Sequence, residues 1–212
     1  MLLNNPTAQL KRFSLTVLEF FLPRLCLFCG AAVGEDAAVA VCPECEAGIE
    51  WVASPLCPCC GLIFPSREGA DRVCGSCTTD PPPFARARAA AVYDGPAAEA
   101  VKRFKFNRRL VYLPVMQAWL LAQGFKDRPL GREVIIRERF TKPQVGLNPK
   151  ERRDNVKGAF AVPQPEAVKG KKILLIDDLF TTGATARECA RVLSRAGAAR
   201  VEVLSVARVK HE

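Results

Sequence analysis

KKILLIDDLFTTGATARECARVLSRAGAARVEVLSVAR, residues 171–208, carries the pattern of a strand, a helix and a second strand. Ile173 to Ile176 form an unbroken apolar run after two lysines, the pattern of a strand buried in a parallel sheet. Asp177 and Asp178 stand at its C-terminal end, where open α/β sheets hold their ligands. Thr181-Thr182-Gly183-Ala184-Thr185 then opens a helix. Its period turns Ala186, Cys189, Ala190 and Leu193 inward, and Gly197 marks its stop. A second apolar strand runs from Val201 to Val206. Strand, helix and strand in this pattern predict an α/β parallel sheet.

The turn between Asp178 and the helix has the composition of an anion cradle. Unpaired backbone N–H groups at a helix start converge on an anion, helped by the positive end of the helix dipole. Thr181, Thr182 and Thr185 add hydroxyl donors, and Gly183 lets the backbone come close. Two adjacent carboxylates disfavour a phosphate at their own position. They suit accepting hydrogen bonds from ribose hydroxyls, with magnesium carried by a nearby diphosphate. The expected ligand is a phosphorylated ribose; the plainer alternative is a β–α crossover with capping threonines and solvated acids.

Toward the N-terminus the chemistry changes. Nine of the ten cysteines fall between Cys26 and Cys77, as Cys26-x-x-Cys29, Cys42-x-x-Cys45, Cys57-x-x-Cys60 and Cys74-x-x-Cys77, with Cys59 spare. Each pair sits in a Gly- or Pro-rich turn (CLFCG, CPEC, CPCCG, CGSC) that directs both sulfurs to one point. Two turns complete a tetrahedron, so four knuckles predict two structural zinc sites in consecutive ribbons. The 52 residues from 26 to 77 hold 13 large apolar side chains, too few to order such a stretch without a staple. Disulfides would need an oxidising compartment that nothing in the sequence signals. Redox catalysis would need a βαβ setting, and catalytic zinc an open ligand position. Asp80–Phe84, DPPPF, reads as the domain boundary.

Here the residues reach a family. ILLIDDLFTTGAT closely resembles the phosphoribosyl-pyrophosphate (PRPP) binding motif of type I phosphoribosyltransferases. The four knuckles, the segment KPQVGLNPKERRDNVKGAF (142–160) and this motif, in that order, look like the ComF family. Those are competence-associated phosphoribosyltransferase-like proteins with a double zinc ribbon. The resemblance spans about Leu25 to Arg208. It implies a type I phosphoribosyltransferase-like parallel sheet with an N-terminal double zinc-ribbon module. It also implies that Asp177 and Asp178 hold ribose hydroxyls while Thr181, Thr182, Gly183, Ala184 and Thr185 hold the 5′-phosphate, with magnesium arriving on PRPP. By analogy with the mobile loop of such enzymes, Arg152, Arg153 and Asn155 cover the site; the bland alternative is a solvated basic face. The family further implies a role in DNA uptake, with single-stranded DNA and a competence helicase as partners.

The chain also departs from the family's pattern. After Val101–Phe106 the family continues with a helix, a strand ending in a VPVP-like turn, and an RGFNQ-like stretch. Here residues 109–140 hold only one evident helix, Leu113–Gln123. About 30 residues, carrying the first core strand and its pyrophosphate-gripping loop, are therefore expected to be absent. Such a chain keeps a 5′-phosphate site but loses the donors that stabilise departing pyrophosphate, so weak or no turnover is expected.

The remaining segments are less specific. Leu15, Leu18, Phe21 and Leu22 fall at helical spacing, and the apolar run is interrupted by Glu19 and far short of a membrane span. Residues 1–24 therefore read as an amphipathic helix docked on a cytosolic protein, ahead of the double ribbon at 25–80 and the phosphoribosyltransferase-like domain at 84–212, shortened near 110–140. A formal net charge of +9, from 31 Lys and Arg against 22 Asp and Glu, favours anionic partners without choosing among them. Val101 to Arg109 interleaves Phe104 and Phe106 with five cations, which suits either single-strand stacking or an amphipathic helix with inward phenylalanines. Trp51 and Trp119 are expected in the core. His211 is the sole histidine, which rules out a His-centred triad at the phosphate turn.

Overall fold

The computed structural model describes residues 23–34, 37–66, 68–124, 131, 133–144 and 146–210. In chain order the elements are helix α1 (Pro43–Ala47), helix α2 (Gly75–Thr79), strand β1 (Arg86–Val92), helix α3 (Gly95–Asn107), a 3-10 turn at Leu110–Tyr112 and helix α4 (Leu113–Leu121). Strand β2 (Ile136–Arg137), helix α5 (Pro149–Val156), strand β3 (Phe160–Ala161), strand β4 (Lys172–Phe180), helix α6 (Ala184–Arg195) and strand β5 (Arg200–Arg208) follow. The expected helix over 1–24 falls almost wholly outside the described residues. No described helix is long and apolar enough to cross a membrane.

The stretch 171–208 folds as its pattern predicts. β4, α6 and β5 make a parallel crossover, with Ile173 beside Val201 and Leu175 beside Val203. β5 is central, flanked by β4 and by β1, which it also meets in parallel. A central strand is covered on both faces, and β5 is buried from Val203 to Arg208. Ala186, Cys189, Ala190 and Leu193 of α6 are all buried, as their spacing requires. Ala186, Ala190 and Leu193 pack with Phe84, Phe180, Val201 and Val203, and Phe84 meets Phe180 edge-on at 6.4 Å. Truncating fully buried Leu193 to Ala would cost about 2–5 kcal/mol. Gly197, at φ 93°, ends the helix, donating from its N–H to the Ser194 carbonyl.

The chain divides into two units, residues 1–48 and 49–212. In the first, Leu25 bridges Ala32, the Cys26 amide donates to the Ala31 carbonyl at 2.7 Å, and α1 starts at the second knuckle. The second ribbon belongs to the larger unit and is bonded into the sheet. The Ala87 amide of β1 donates to the Cys59 carbonyl at 2.7 Å, and Arg88 donates to the Pro58 carbonyl at 3.1 Å. A Cβ on Gly61 would lie 2.7 Å from the Ala87 carbonyl, so that close approach requires glycine.

Three expectations differ from what folds. β4 is not buried throughout: Ile176 is 56% exposed, and among the described residues no strand pairs with the outer edge of β4. Trp119 is buried, but Trp51 is only half covered, lying edge-on to Trp119 with ring centroids 6.0 Å apart. Residues 101–107 are helical as one of the two readings of that segment had it. Yet only Phe104 is partly buried while Phe106 faces solvent, because the buried stripe of α3 is Ala97, Ala98, Ala100 and Val101.

Candidate functional site

β4 delivers Asp177 and Asp178 to its C-terminal end, and three residues later the chain turns into α6. Gly183 sits at the N-cap in the left-handed region, φ 73° and ψ 12°. A Cβ there would lie 2.6 Å from the buried ring of Phe180, so glycine is required both by conformation and by space. Thr182 Oγ1 is buried with no hydrogen-bond partner among the described residues. An orphaned buried hydroxyl beside a helix start is a donor held ready for an acceptor.

The neighbouring segment 142–158 is pinned to this turn. Arg152 donates from Nη1 to Thr181 Oγ1 at 2.8 Å and from Nε to the Leu147 carbonyl at 2.8 Å. Gln144 donates to Thr185 Oγ1 at 3.1 Å. α5 begins in a capping box, with the Asn148 side-chain Oδ1 accepting from the backbone amides of Lys150 and Glu151, and the Asn148 backbone amide donating to the Glu151 carboxylate. That box fixes where Arg152 stands. Of the three loop residues singled out in the sequence, only Arg152 reaches the turn. Asn155 instead clamps Lys142, donating to its carbonyl at 2.8 Å and accepting from its amide at 3.1 Å. Arg153 lines a groove between α5 and α6, of about 550 Å³, with Lys157, Arg187, Arg191 and Arg195, and this groove reaches Ala184 at the start of α6.

The two carboxylates are not equivalent. Burial, with the charge of Asp178 beside it, pushes the Asp177 carboxyl up to about 6, although Lys105 pulls the other way. Asp177 Oδ1 accepts from the Asp178 amide at 2.9 Å. Asp178 is paired with Lys105 Nζ, also at 2.9 Å. Lys105, at the end of α3, was read in the sequence only as part of a cationic run. Its partner lies 73 positions along the chain, so no local signal could have found it. Glu188 of α6 was missed likewise: it is buried and accepts from the Gly158 amide at 2.9 Å, tying the end of α5 to α6.

The knuckle cysteines gather as two tetrads, Cys26, Cys29, Cys42 and Cys45, and Cys57, Cys60, Cys74 and Cys77, each with sulfurs within 4.8 Å of one another. A tetrahedral zinc with bonds of about 2.3 Å holds its sulfurs roughly 3.7–3.8 Å apart. Cys29 and Cys42 lie 3.5 Å apart and Cys60 and Cys74 3.7 Å, so both tetrads fit a structural zinc. Despite burial, amide donors from Cys29, Cys42 and Phe28 hold the Cys26 thiol down at about 6. Cys57 is held at about 6 in the same way by Cys60, Cys74 and Cys59. Burial and the neighbouring thiols push Cys45 and Cys77 up instead, since four sulfurs cannot all ionise together without a cation. Buried Arg208 donates to the Cys60 carbonyl at 2.6 Å, bringing a positive charge beside the second tetrad.

Comparison with known proteins agrees with both halves. Residues 17–78 match the double zinc ribbon domain and residues 121–212 the phosphoribosyl transferase domain. The chain is similar to DNA utilization protein YhgH of Escherichia coli (strain K12), 29% identical over 231 aligned positions that cover 88% of this chain and 98% of that protein. It is 26% identical to Competence protein F of Haemophilus influenzae, covering 79% of this chain and 96% of that protein. A shorter match, 42% identical over 59 residues, reaches 28% of this chain and 26% of orotate phosphoribosyltransferase of Acinetobacter baumannii. No solved structure matches. An alignment of 231 positions is longer than the 212 residues of this chain, so stretches of the first relative have no counterpart here.

Proposed function

We propose that this chain, a double zinc ribbon joined to a phosphoribosyltransferase domain and similar to DNA utilization protein YhgH and Competence protein F, is of the ComF type and binds PRPP or a related 5′-phosphoribosyl ligand at the turn between β4 and α6. The observation that carries the reading is the buried, unpartnered Thr182 hydroxyl beside a helix start whose N-cap must be glycine. The 5′-phosphate would take that hydroxyl, the first amides of α6 and the hydroxyls of Thr181 and Thr185. Asp177 and Asp178 would accept from the ribose hydroxyls, with Lys105 giving up or sharing Asp178. Arg152 touches Thr181, so its guanidinium would lie beside a phosphate bound at the turn. Arg153 and Asn155 keep no ligand role in this reading. Magnesium would accompany the diphosphate of the ligand.

Binding without efficient turnover is the expected outcome. Among the described residues the parallel sheet has three strands, and none between β1 and β4 joins it. A pyrophosphate-gripping loop on such a strand would supply the donors on which leaving-group charge is stabilised. PRPP with magnesium should raise Tm by mass action. Asp177→Asn with Asp178→Asn should abolish the rise. An unchanged rise in the double variant, or multiple turnover with any nitrogen base, would refute the respective halves of the proposal.

A second reading rests on the groove between α5 and α6. Arg153, Lys157, Arg187, Arg191 and Arg195 line it against Asp80, Asp154 and Glu188, leaving a cationic excess. Arg187 is held by Asp80 and Arg191 by Glu188. The relatives' names, DNA utilization protein and Competence protein F, make single-stranded DNA the ligand to try. Its affinity should fall steeply with salt and weaken in Arg153→Ala with Arg195→Ala. A flat salt response would remove this reading; a competence helicase as partner is best sought by co-purification.

A further inference from the structure

Arg208 closes the central strand β5 and, at 4% exposure, is the only buried lysine or arginine among the described residues. None of the ion pairs among those residues includes it. Its Nη1 donates to the Cys60 carbonyl at 2.6 Å, and its guanidinium carbon lies 4.7 Å from the centre of the Phe180 ring. Nε is buried with no hydrogen-bond partner among the described residues. A buried cation is costly unless an anion stands against it, and one carbonyl with one ring is not an anion.

The anion is at hand in the second cysteine tetrad. Arg208 grips the carbonyl of one of its members, and the charges that favour the guanidinium, against burial, are those of Cys60, Cys57 and Cys74. Four thiolates around one divalent zinc leave an excess of negative charge. Cys57, Cys74 and Cys77 are buried, so water screens that charge poorly. The knuckle is also fastened to the sheet at three consecutive carbonyls. Pro58 accepts from Arg88 Nη1 at 3.1 Å, Cys59 from the Ala87 amide at 2.7 Å, and Cys60 from Arg208. The guanidinium therefore has a fixed place beside the tetrad. The first tetrad is set differently: Cys29 is exposed, Cys45 is half-buried, and no described lysine or arginine in residues 23–48 is buried.

We propose that Arg208 is the built-in counter-cation of the second zinc–thiolate centre, strengthening zinc binding in that ribbon and not in the first. It acts as a positioning residue. It bonds the backbone of one zinc ligand and supplies positive charge where solvent supplies little. A strand of the phosphoribosyltransferase sheet thereby completes a metal centre whose ligands all come from the ribbon. The proposal does not depend on what the β4–α6 turn binds.

Competition between the zinc-loaded full chain and a chromophoric zinc chelator reads the affinity of each site. Arg208→Met keeps the bulk and removes the charge. It should weaken zinc at one site about ten- to a hundredfold and leave the other as in wild type. The same loss should appear when Arg208→Met is added to Cys26→Ser with Cys29→Ser, a chain that keeps only the second centre. Arg208→Lys restores the charge without the planar fork and should recover most of the affinity. Two wild-type affinities in Arg208→Met, equal weakening of both sites, or no recovery by Arg208→Lys would overturn the inference. If Arg208→Met fails to fold, Arg208→Lys against Arg208→Gln decides: the charged variant should hold zinc more tightly, and equal affinities would overturn the inference.

Discussion

Replacing Asp177 by Asn should stabilise the folded protein while removing its ligand response. The Asp177 carboxyl is pushed from 3.8 to about 6 by burial and by Asp178. An acid with a raised folded pKa contributes stability that is fully present below its unfolded pKa and lost as pH rises through the folded one. Wild type therefore carries a cost above pH 6 that Asn, which does not titrate, avoids. At about 1.36 kcal/mol per pH unit, the distance from 3.8 to about 6 corresponds to at most about 3 kcal/mol. Asp177 is half-buried, so solvent screening reduces the expected gain to about 1–3 kcal/mol. The Asn side-chain oxygen can still accept from the Asp178 amide, so that bond is kept. For a protein of this length the gain raises Tm by about 3–10 °C. Thermal melts of Asp177→Asn and wild type from pH 3 to pH 8, followed by tryptophan fluorescence, measure it. The two should coincide near pH 3.5, diverge between about 4 and 6, and stay apart above. A variant less stable at pH 8, or a difference independent of pH, would refute the reasoning. Stability withheld at a binding site is the expected signature of a group kept for its ligand.

Gly183→Ala forces a side chain into the left-handed region and against the Phe180 ring at 2.6 Å; it should cost about 1–3 kcal/mol and lower Tm, read in the same melts. Arg152→Ala removes the donor to Thr181 and should weaken PRPP binding about tenfold by calorimetry, with a much smaller change in Tm. Zinc analysis should find two ions per chain. Cys57→Ser with Cys60→Ser should lower the tryptophan-detected Tm far more than Cys26→Ser with Cys29→Ser. Both tryptophans and the second ribbon share residues 49–212, where Ala87, Arg88 and Arg208 bond to the Cys59, Pro58 and Cys60 carbonyls.

Much of the molecule is legible locally because its signals are local. The knuckles announce two zinc sites through three-residue spacing, since a tight turn alone aims both sulfurs. The period of Ala186, Cys189, Ala190 and Leu193 marks the inner face of α6, and Gly183 marks its start, because both follow from backbone geometry. What each strand has beside it is a different kind of fact. Ile173–Ile176 reads as a buried strand, yet hydrophobicity records a tendency to leave water and not the presence of a neighbour.

The cysteine tetrads that fit zinc, the β–α–β order and the acidic pair before a Thr-Gly turn can all be read from residues close together in the chain, because each is set by chemistry within a few positions. Packing of the whole chain is needed to see that Lys105 holds Asp178, that Arg152 and not Arg153 or Asn155 hydrogen-bonds to the turn, and that β4 lies at an edge with Ile176 in solvent. Those are contacts between segments far apart in the chain, fixed by how the whole packs, and no short stretch of residues encodes them.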